Sequence, residues 1–138
     1  MIRIGTTQLW VHDQDAALEF WTKQVGFELR TDASFPDMGD FRWLTVGPAG
    51  QPDIEIVLMA VPGAPVMDES TRQEVLSLVG KGFAGTVFLV TDDIQRDYEE
   101  LAARGVEFQG PPEDRPYGID TGFSDPSGNQ IRIAQLPD

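Results

Sequence analysis

Apolar and polar positions change period several times along the chain, and the changes predict its elements. From Thr6 to Val11 the pattern is period two: Thr7, Leu9 and Val11 fall on one face, Thr6, Gln8 and Trp10 on the other. An Asp follows at position 13, and Ala17, Phe20, Trp21 and Val25 then share one helical stripe up to Gly26. Strand-like runs return at 26–31, 41–47 and 53–60. A Pro/Gly-rich turn and a predicted helix over 68–79 come next. The sequence of signals then starts again. It predicts a strand over 86–91, a helix carrying Ile94, Tyr98, Leu101 and Ala102, then Gly105 and strands over 106–109, 122–124 or slightly longer, and 129–135.

The restart is an internal repeat. Gly5-Thr6 meets Gly85-Thr86, Leu9 meets Leu89, Asp13 meets Asp93 and Glu19 meets Glu99. Further on, Gly26-Phe27-Glu28 meets Gly105-Val106-Glu107, and Ile54-Glu55-Ile56 meets Ile131-Arg132-Ile133. Asp13, and Asp92 or Asp93, offer carboxylates to free N–H groups at helix starts. Gly26 and Gly105 suit the left-handed residue that ends a helix. The fold class predicted is α+β: two tandem βαβββ modules whose curved mixed sheets enclose a central cavity. The chain is read as one domain, residues 1–138, with modules at 1–61 and 83–138 and a helical connector at 62–82.

Composition narrows the chemistry. The chain has 138 residues, no cysteine, one histidine and a formal net charge of -13. Disulfides and thiolate chemistry are excluded, and His12 alone supplies no multi-histidine metal site. The acidic balance disfavours nucleic acid and anionic membrane surfaces as partners. No apolar run approaches the roughly 20 residues needed to span a bilayer. No secretory signal pattern is seen, so a cytoplasmic location is expected.

Three stretches carry a family resemblance: LWVHDQDAALEFWTKQVGFEL at 9–29, VTDDIQRDYEELAARGVEF at 90–108 and GFSDPSGNQIRIAQ at 122–135. They resemble the vicinal oxygen chelate superfamily, which includes glyoxalase I, extradiol dioxygenases, fosfomycin-resistance enzymes and bleomycin-binding resistance proteins. In metal-using members each module gives two ligands to a central metal, and the resemblance places these at Thr6, Glu55, Thr86 and Arg132. Only Glu55 matches the family's ligand types. Two hydroxyls are weak ligands, and a guanidinium repels a cation. No metal and no organic cofactor are therefore expected.

The resemblance also implies that Glu55 and Arg132 face each other across the cavity. Arg132 is expected to point inward and pair with Glu55, in place of a metal. That pair either only neutralises two charges or also leaves Arg132 to hold an anionic or carbonyl group of a ligand; the remaining possibility is a solvent-facing Arg132. The period-two pattern adds Gln8, Trp10 and Phe88 to the inward set, with Trp43, Met59 and Phe123 as apolar wall and Tyr117 at one end. Trp10 and Trp43 either stack on a planar ligand or belong to the core or an interface. Tyr117 either donates a proton or hydrogen bond or covers the pocket edge.

The function expected is a metal-free protein of the glyoxalase and bleomycin-resistance type. It would sequester a small organic ligand, for which the acidic balance suggests a cation, in the cavity between the modules, as a homodimer; the modules either pair within one chain or complete their cavities across subunits. The alternative is a glyoxalase-like lyase, isomerase or dioxygenase, using a metal or acid/base chemistry through Glu55 or Tyr117.

Overall fold

The computed structural model describes residues Met1–Asp138. In the first module β1 (Thr6–Val11), α1 (Gln14–Glu19), β2 (Glu28–Phe35), β3 (Phe41–Gly47) and β4 (Glu55–Ala60) follow one another. The connector holds α2 (Glu69–Gly80). The second module comprises β5 (Phe88–Val90), α3 (Ile94–Ala103), β6 (Glu107–Phe108), β7 (Glu113–Arg115), β8 (Gly118–Ser124) and β9 (Gln130–Gln135). The first sheet has the order β1-β4-β3-β2; the second has β5-β9-β8-β6, with β7 also paired to β8. The first strand of each module runs parallel to the last, β1 beside β4 and β5 beside β9.

The helix starts follow from single side chains. The Asp13 carboxylate accepts the Ala16 N–H at 3.0 Å, and Asp93, rather than Asp92, accepts that of Arg96 at 3.1 Å. Gly26 and Gly105 hold φ of 92° and 95°, the backbone state that lets the chain leave each helix towards its next strand. Beyond Glu19 the first helix widens into a π-helical turn, Phe20–Gln24, which buries both Phe20 and Trp21.

The two modules share one core. A single cluster of 15 buried apolar side chains runs from Leu9, Val11 and Leu44 in the first module to Ile94, Ile131 and Ile133 in the second. At its centre Phe123 of β8 packs against Phe20 at 6.1 Å and Trp21 at 6.3 Å between ring centroids. Phe123 therefore belongs to the core and not to the cavity wall expected for it, because Phe123 stands opposite Ile131 on the helix side of the sheet. The modules meet through their helix-side faces. The sheets are not closed into a barrel, and their other faces remain open within one chain.

The Asp125-Pro126-Ser127-Gly128-Asn129 turn reinforces this union. Asp125 accepts the N–H groups of Ser127 at 2.9 Å and Asn129 at 2.8 Å, along with the Asn129 side-chain amide at 2.8 Å. Burial pushes the Asp125 carboxyl above its ordinary range, outweighing these hydrogen bonds. The same Asn129 amide donates to the Trp10 carbonyl at 2.8 Å, and the His12 N–H donates to Ser127 Oγ at 2.9 Å. The end of β1 is thus fastened to the turn between β8 and β9.

Two outcomes are expected. Asn129→Ala removes a fully buried amide that bonds both modules and should cost about 2–3 kcal/mol, read from urea unfolding. Trp10, Trp21 and Trp43 all lie in the first module. Because the core is common, tryptophan fluorescence and far-UV circular dichroism should give coincident transitions; separate midpoints would show two independent cores.

Candidate functional site

The open face of the first sheet follows from alternation along its strands. Leu44 and Val46 of β3 and Ile56 and Leu58 of β4 enter the core. Trp43, Thr45, Glu55, Val57 and Met59 therefore take the opposite face, beside Thr6, Gln8 and Trp10 of β1. Cross-strand pairing sets Phe35 opposite Phe41 and Ala33 opposite Trp43. The result is an aromatic row in which Phe35–Phe41 and Phe41–Trp43 centroids lie 6.3 and 6.5 Å apart. The row ends near Glu55, whose Oε1 accepts the buried Thr45 hydroxyl at 2.8 Å.

The open face of the second sheet is polar over β8 and β9, with Phe88 and Val90 of β5 exposed at its edge. Ile131 and Ile133 enter the core, so Gln130, Arg132 and Ala134 of β9 face outward beside Asp120, Gly122 and Ser124 of β8. The centre of this face is Asp120, only 4% exposed. Its Oδ2 accepts Arg132 Nη2 at 2.6 Å and the Tyr117 hydroxyl at 2.8 Å, and its Oδ1 accepts Arg115 Nε at 3.4 Å. Burial opposes the charge on Asp120, but the hydrogen bonds from Arg132 and Tyr117 prevail and hold the carboxyl below its ordinary range. The same bond to Asp120 raises the Tyr117 phenol. Tyr117 is thus fitted to donate a hydrogen bond and is poorly suited to act as a base near neutrality. Arg132 Nη1 donates to Gln109 Oε1 at 2.9 Å.

These contacts correct one expectation. Within the chain Glu55 bonds Thr45 and Arg132 bonds Asp120, so the expected Glu55–Arg132 pair is not formed. Strand register adds a reason. Glu55 lies beside Thr6 in the first sheet, whereas Arg132 lies beside Phe88 in the second. The hydroxyl of Thr86 donates to the carbonyl of Gln130, two residues before Arg132. A two-residue displacement keeps Arg132 on the same face but places it away from the position equivalent to Glu55. Asp120 was hidden because the predicted strand began at Gly122. Extending its alternation backwards by two residues would have placed Asp120 on the face of Arg132.

The four positions assigned to metal ligands do not fit a divalent metal. Thr6 and Glu55 stand on one sheet, Thr86 and Arg132 on the other, and the guanidinium brings positive charge and no lone pair. No three His, Cys, Asp or Glu side chains converge anywhere in the chain. His12 sits outside both faces, its Nε2 within 2.9 Å of the Leu76 carbonyl of α2.

A groove between the modules, about 340 Å³, runs along the outer edge of β5. Of the expected site residues it gathers Glu55, Thr86 and Phe88, with Phe27 and Pro48 as apolar neighbours. Thr6, Gln8, Trp10, Trp43, Tyr117 and Arg132 do not line it. They lie on the open sheet faces, with Phe88 76% exposed between the two sets.

Comparison with known proteins gives a consistent picture. The family model described as the glyoxalase/bleomycin resistance protein/dioxygenase superfamily matches residues 3–133. The uncharacterized protein YurT of Bacillus subtilis (strain 168) is 34% identical over 135 residues, covering 97% of this chain and 99% of YurT. The crystal structure of UcmS2 superposes with a TM-score of 0.87 at 38% identity, covering 97% of this chain and 98% of its own. TnmS3, described as an antibiotic binding protein from Streptomyces sp. CB03234, has a TM-score of 0.74 at 31% identity, with coverage of 99% and 98%.

The Asp120 network predicts a titration. The chain has two tyrosines. By ultraviolet absorbance, the Tyr117 phenolate should form above the ordinary 10.0, and Asp120→Asn should bring it back towards that value. Asp120 also contributes to acid stability. Its folded pKa is lowered, so its contribution is complete above the ordinary 3.8 and is lost as the pH falls through the folded value. Asp120→Asn should flatten the acid limb of thermal stability below about pH 4.

Proposed function

Because the chain belongs to the glyoxalase/bleomycin resistance protein/dioxygenase superfamily, we propose that it is a metal-free binding protein that sequesters a small organic molecule. The observation that carries this reading is the fate of Arg132. By strand register the second sheet sets Gln130, a neutral amide, where the first sets Glu55, and the Arg132 guanidinium stands two residues on, bonded to the buried Asp120, so no second carboxylate or imidazole joins Glu55. The two open faces are complementary in character, an aromatic row on the first sheet and a polar network on the second. Such a division suits a ligand with a flat apolar body and a few polar groups. The description of the TnmS3 relative as an antibiotic binding protein supports a ligand of this kind.

The ligand-contacting residues proposed are Thr6, Gln8, Trp10, Trp43 and Glu55 from the first sheet, with Thr86, Phe88, Tyr117 and Arg132 from the second. Within one chain only Glu55, Thr86 and Phe88 are gathered, in the groove beside β5; the other residues of the two sets are not brought face to face, because the modules join through their helix sides. A homodimer would let the first sheet of one protomer face the second sheet of its partner and form two cavities. Exposed Phe35, Phe88 and Val90, which leave apolar surface on these faces, support that assembly. The proposal locates the protein in the cytoplasm, without nucleic-acid or membrane partners; no helix is long and apolar enough to cross a membrane.

Sedimentation analysis should give twice the 15.2 kDa chain mass. Calorimetric titration of untagged protein with Zn²⁺, Ni²⁺, Mn²⁺ and Fe²⁺ should give no stoichiometric heat. Tight metal binding at one ion per chain would return the protein to the metal-dependent lyases and dioxygenases and defeat the reading.

A further inference from the structure

The geometry points to Arg132 as a stacking platform that meets an aromatic ring of the ligand with the face of its guanidinium, a role that deepens the small-molecule reading above and rests on it. The argument starts at Gly122. This residue lies opposite Arg132 in the β8–β9 ladder and leaves the sheet without a side chain there. A Cβ at Gly122 would stand 2.6 Å from Arg132 Nη1 and 3.0 Å from Gln109 Oε1. The guanidinium therefore occupies the space a side chain would fill, down on the backbone of β8. From there it reaches two in-plane partners, Asp120 through Nη2 and Gln109 through Nη1.

Those bonds fix the group at both prongs of its fork. The buried Asp120 carboxylate is itself held by Tyr117 at 2.8 Å and by Arg115 at 3.4 Å. The edge carrying both Nη atoms is turned to Asp120 and Gln109, which leaves the planar face, with the Nε–H, to a ligand. The Arg132 side chain retains 29% exposure, against 4% for Asp120. A guanidinium over an arene is favourable both as a cation–π contact and as stacking of two planar groups. A strongly hydrated lysine ammonium lacks the planar surface.

The class of ligand follows. The chain's overall charge suggests a cation, but at physiological ionic strength surface charges are screened beyond about 8 Å. A fixed guanidinium in direct contact dominates over that distance. The ligand group above Arg132 is an electron-rich, uncharged or anionic aromatic ring, and a cationic ring is disfavoured.

The test uses three probes of similar size on the intact protein: 2-naphthol, the N-methylquinolinium cation and cyclohexanecarboxylate, followed by tryptophan quenching and calorimetry. Expected results are measurable naphthol binding, quinolinium binding weaker by about tenfold, and no competition from cyclohexanecarboxylate. Arg132→Lys keeps the charge and removes the plane, and should lower naphthol affinity about tenfold. Gly122→Ala should do the same by lifting the guanidinium, since its Cβ meets only the ends of two flexible side chains. Circular dichroism and melting confirm that both variants fold. Equal naphthol binding by wild type and both folded variants would overturn the stacking role while leaving the binding function intact. Effective competition by cyclohexanecarboxylate would replace it with an edge-on anion site. Failure of all three probes to bind wild type would overturn both this role and the small-molecule reading.

Discussion

The packing of Phe123 against Phe20 and Trp21 governs the rest of the molecule. It joins a strand of one module to the helix of the other and commits both helix-side faces to one core. Each sheet has only two faces, so the opposite faces are left open. Closing an apolar core is worth roughly 25 cal/mol per Å² of apolar surface removed from water, and neither module alone has enough such surface to do this well. The hydrogen bonds of Asn129 and Ser127 to β1 then fix the angle at which the modules meet. The open faces, on which a ligand site is proposed, are thus a geometric by-product of core formation.

The polar face shows a second economy of design. Asp120 is buried, charged and surrounded by three donors, which removes the unpaired charge that burial would otherwise make intolerable. The same contacts hold Arg132 and Tyr117 in place before any ligand arrives. A site whose side chains are already ordered loses less conformational entropy on binding. The aromatic row on the other sheet has a similar property, because Phe35, Phe41 and Trp43 limit one another's rotamers through contact.

Much of this was legible in the sequence, for physical reasons that differ by residue. Asp13 and Gly26 announce a helix start and stop through local chemistry, and the repeat copies them at Asp93 and Gly105. Leu9, Val11, Ile131 and Ile133 reveal their buried side by period two. The boundaries were harder. β2 runs on to Phe35, past the expected end at Thr31, and β8 begins at Gly118 across a glycine-containing run that carries little pattern. The partner of Arg132 lay inside that run. Pairing also depends on register between strands distant in sequence, and register is set by the whole ladder and not by local composition. The repeat suggested that Glu55 and Arg132 were equivalent; the ladders displace them by two residues.

The strict alternation along β3, β4, β8 and β9 has a further consequence for change over generations. Neighbouring residues answer to different selective demands: Leu44 and Val46 to stability, Trp43 and Thr45 to the open face. A substitution at an exposed outward position such as Phe88 would alter the proposed contact surface while leaving the packed layer beneath untouched, whereas the buried outward positions Thr45 and Asp120 answer to stability as well. Under the binding function proposed above, new ligand preferences are reachable by single steps at the exposed outward positions that keep the protein folded throughout.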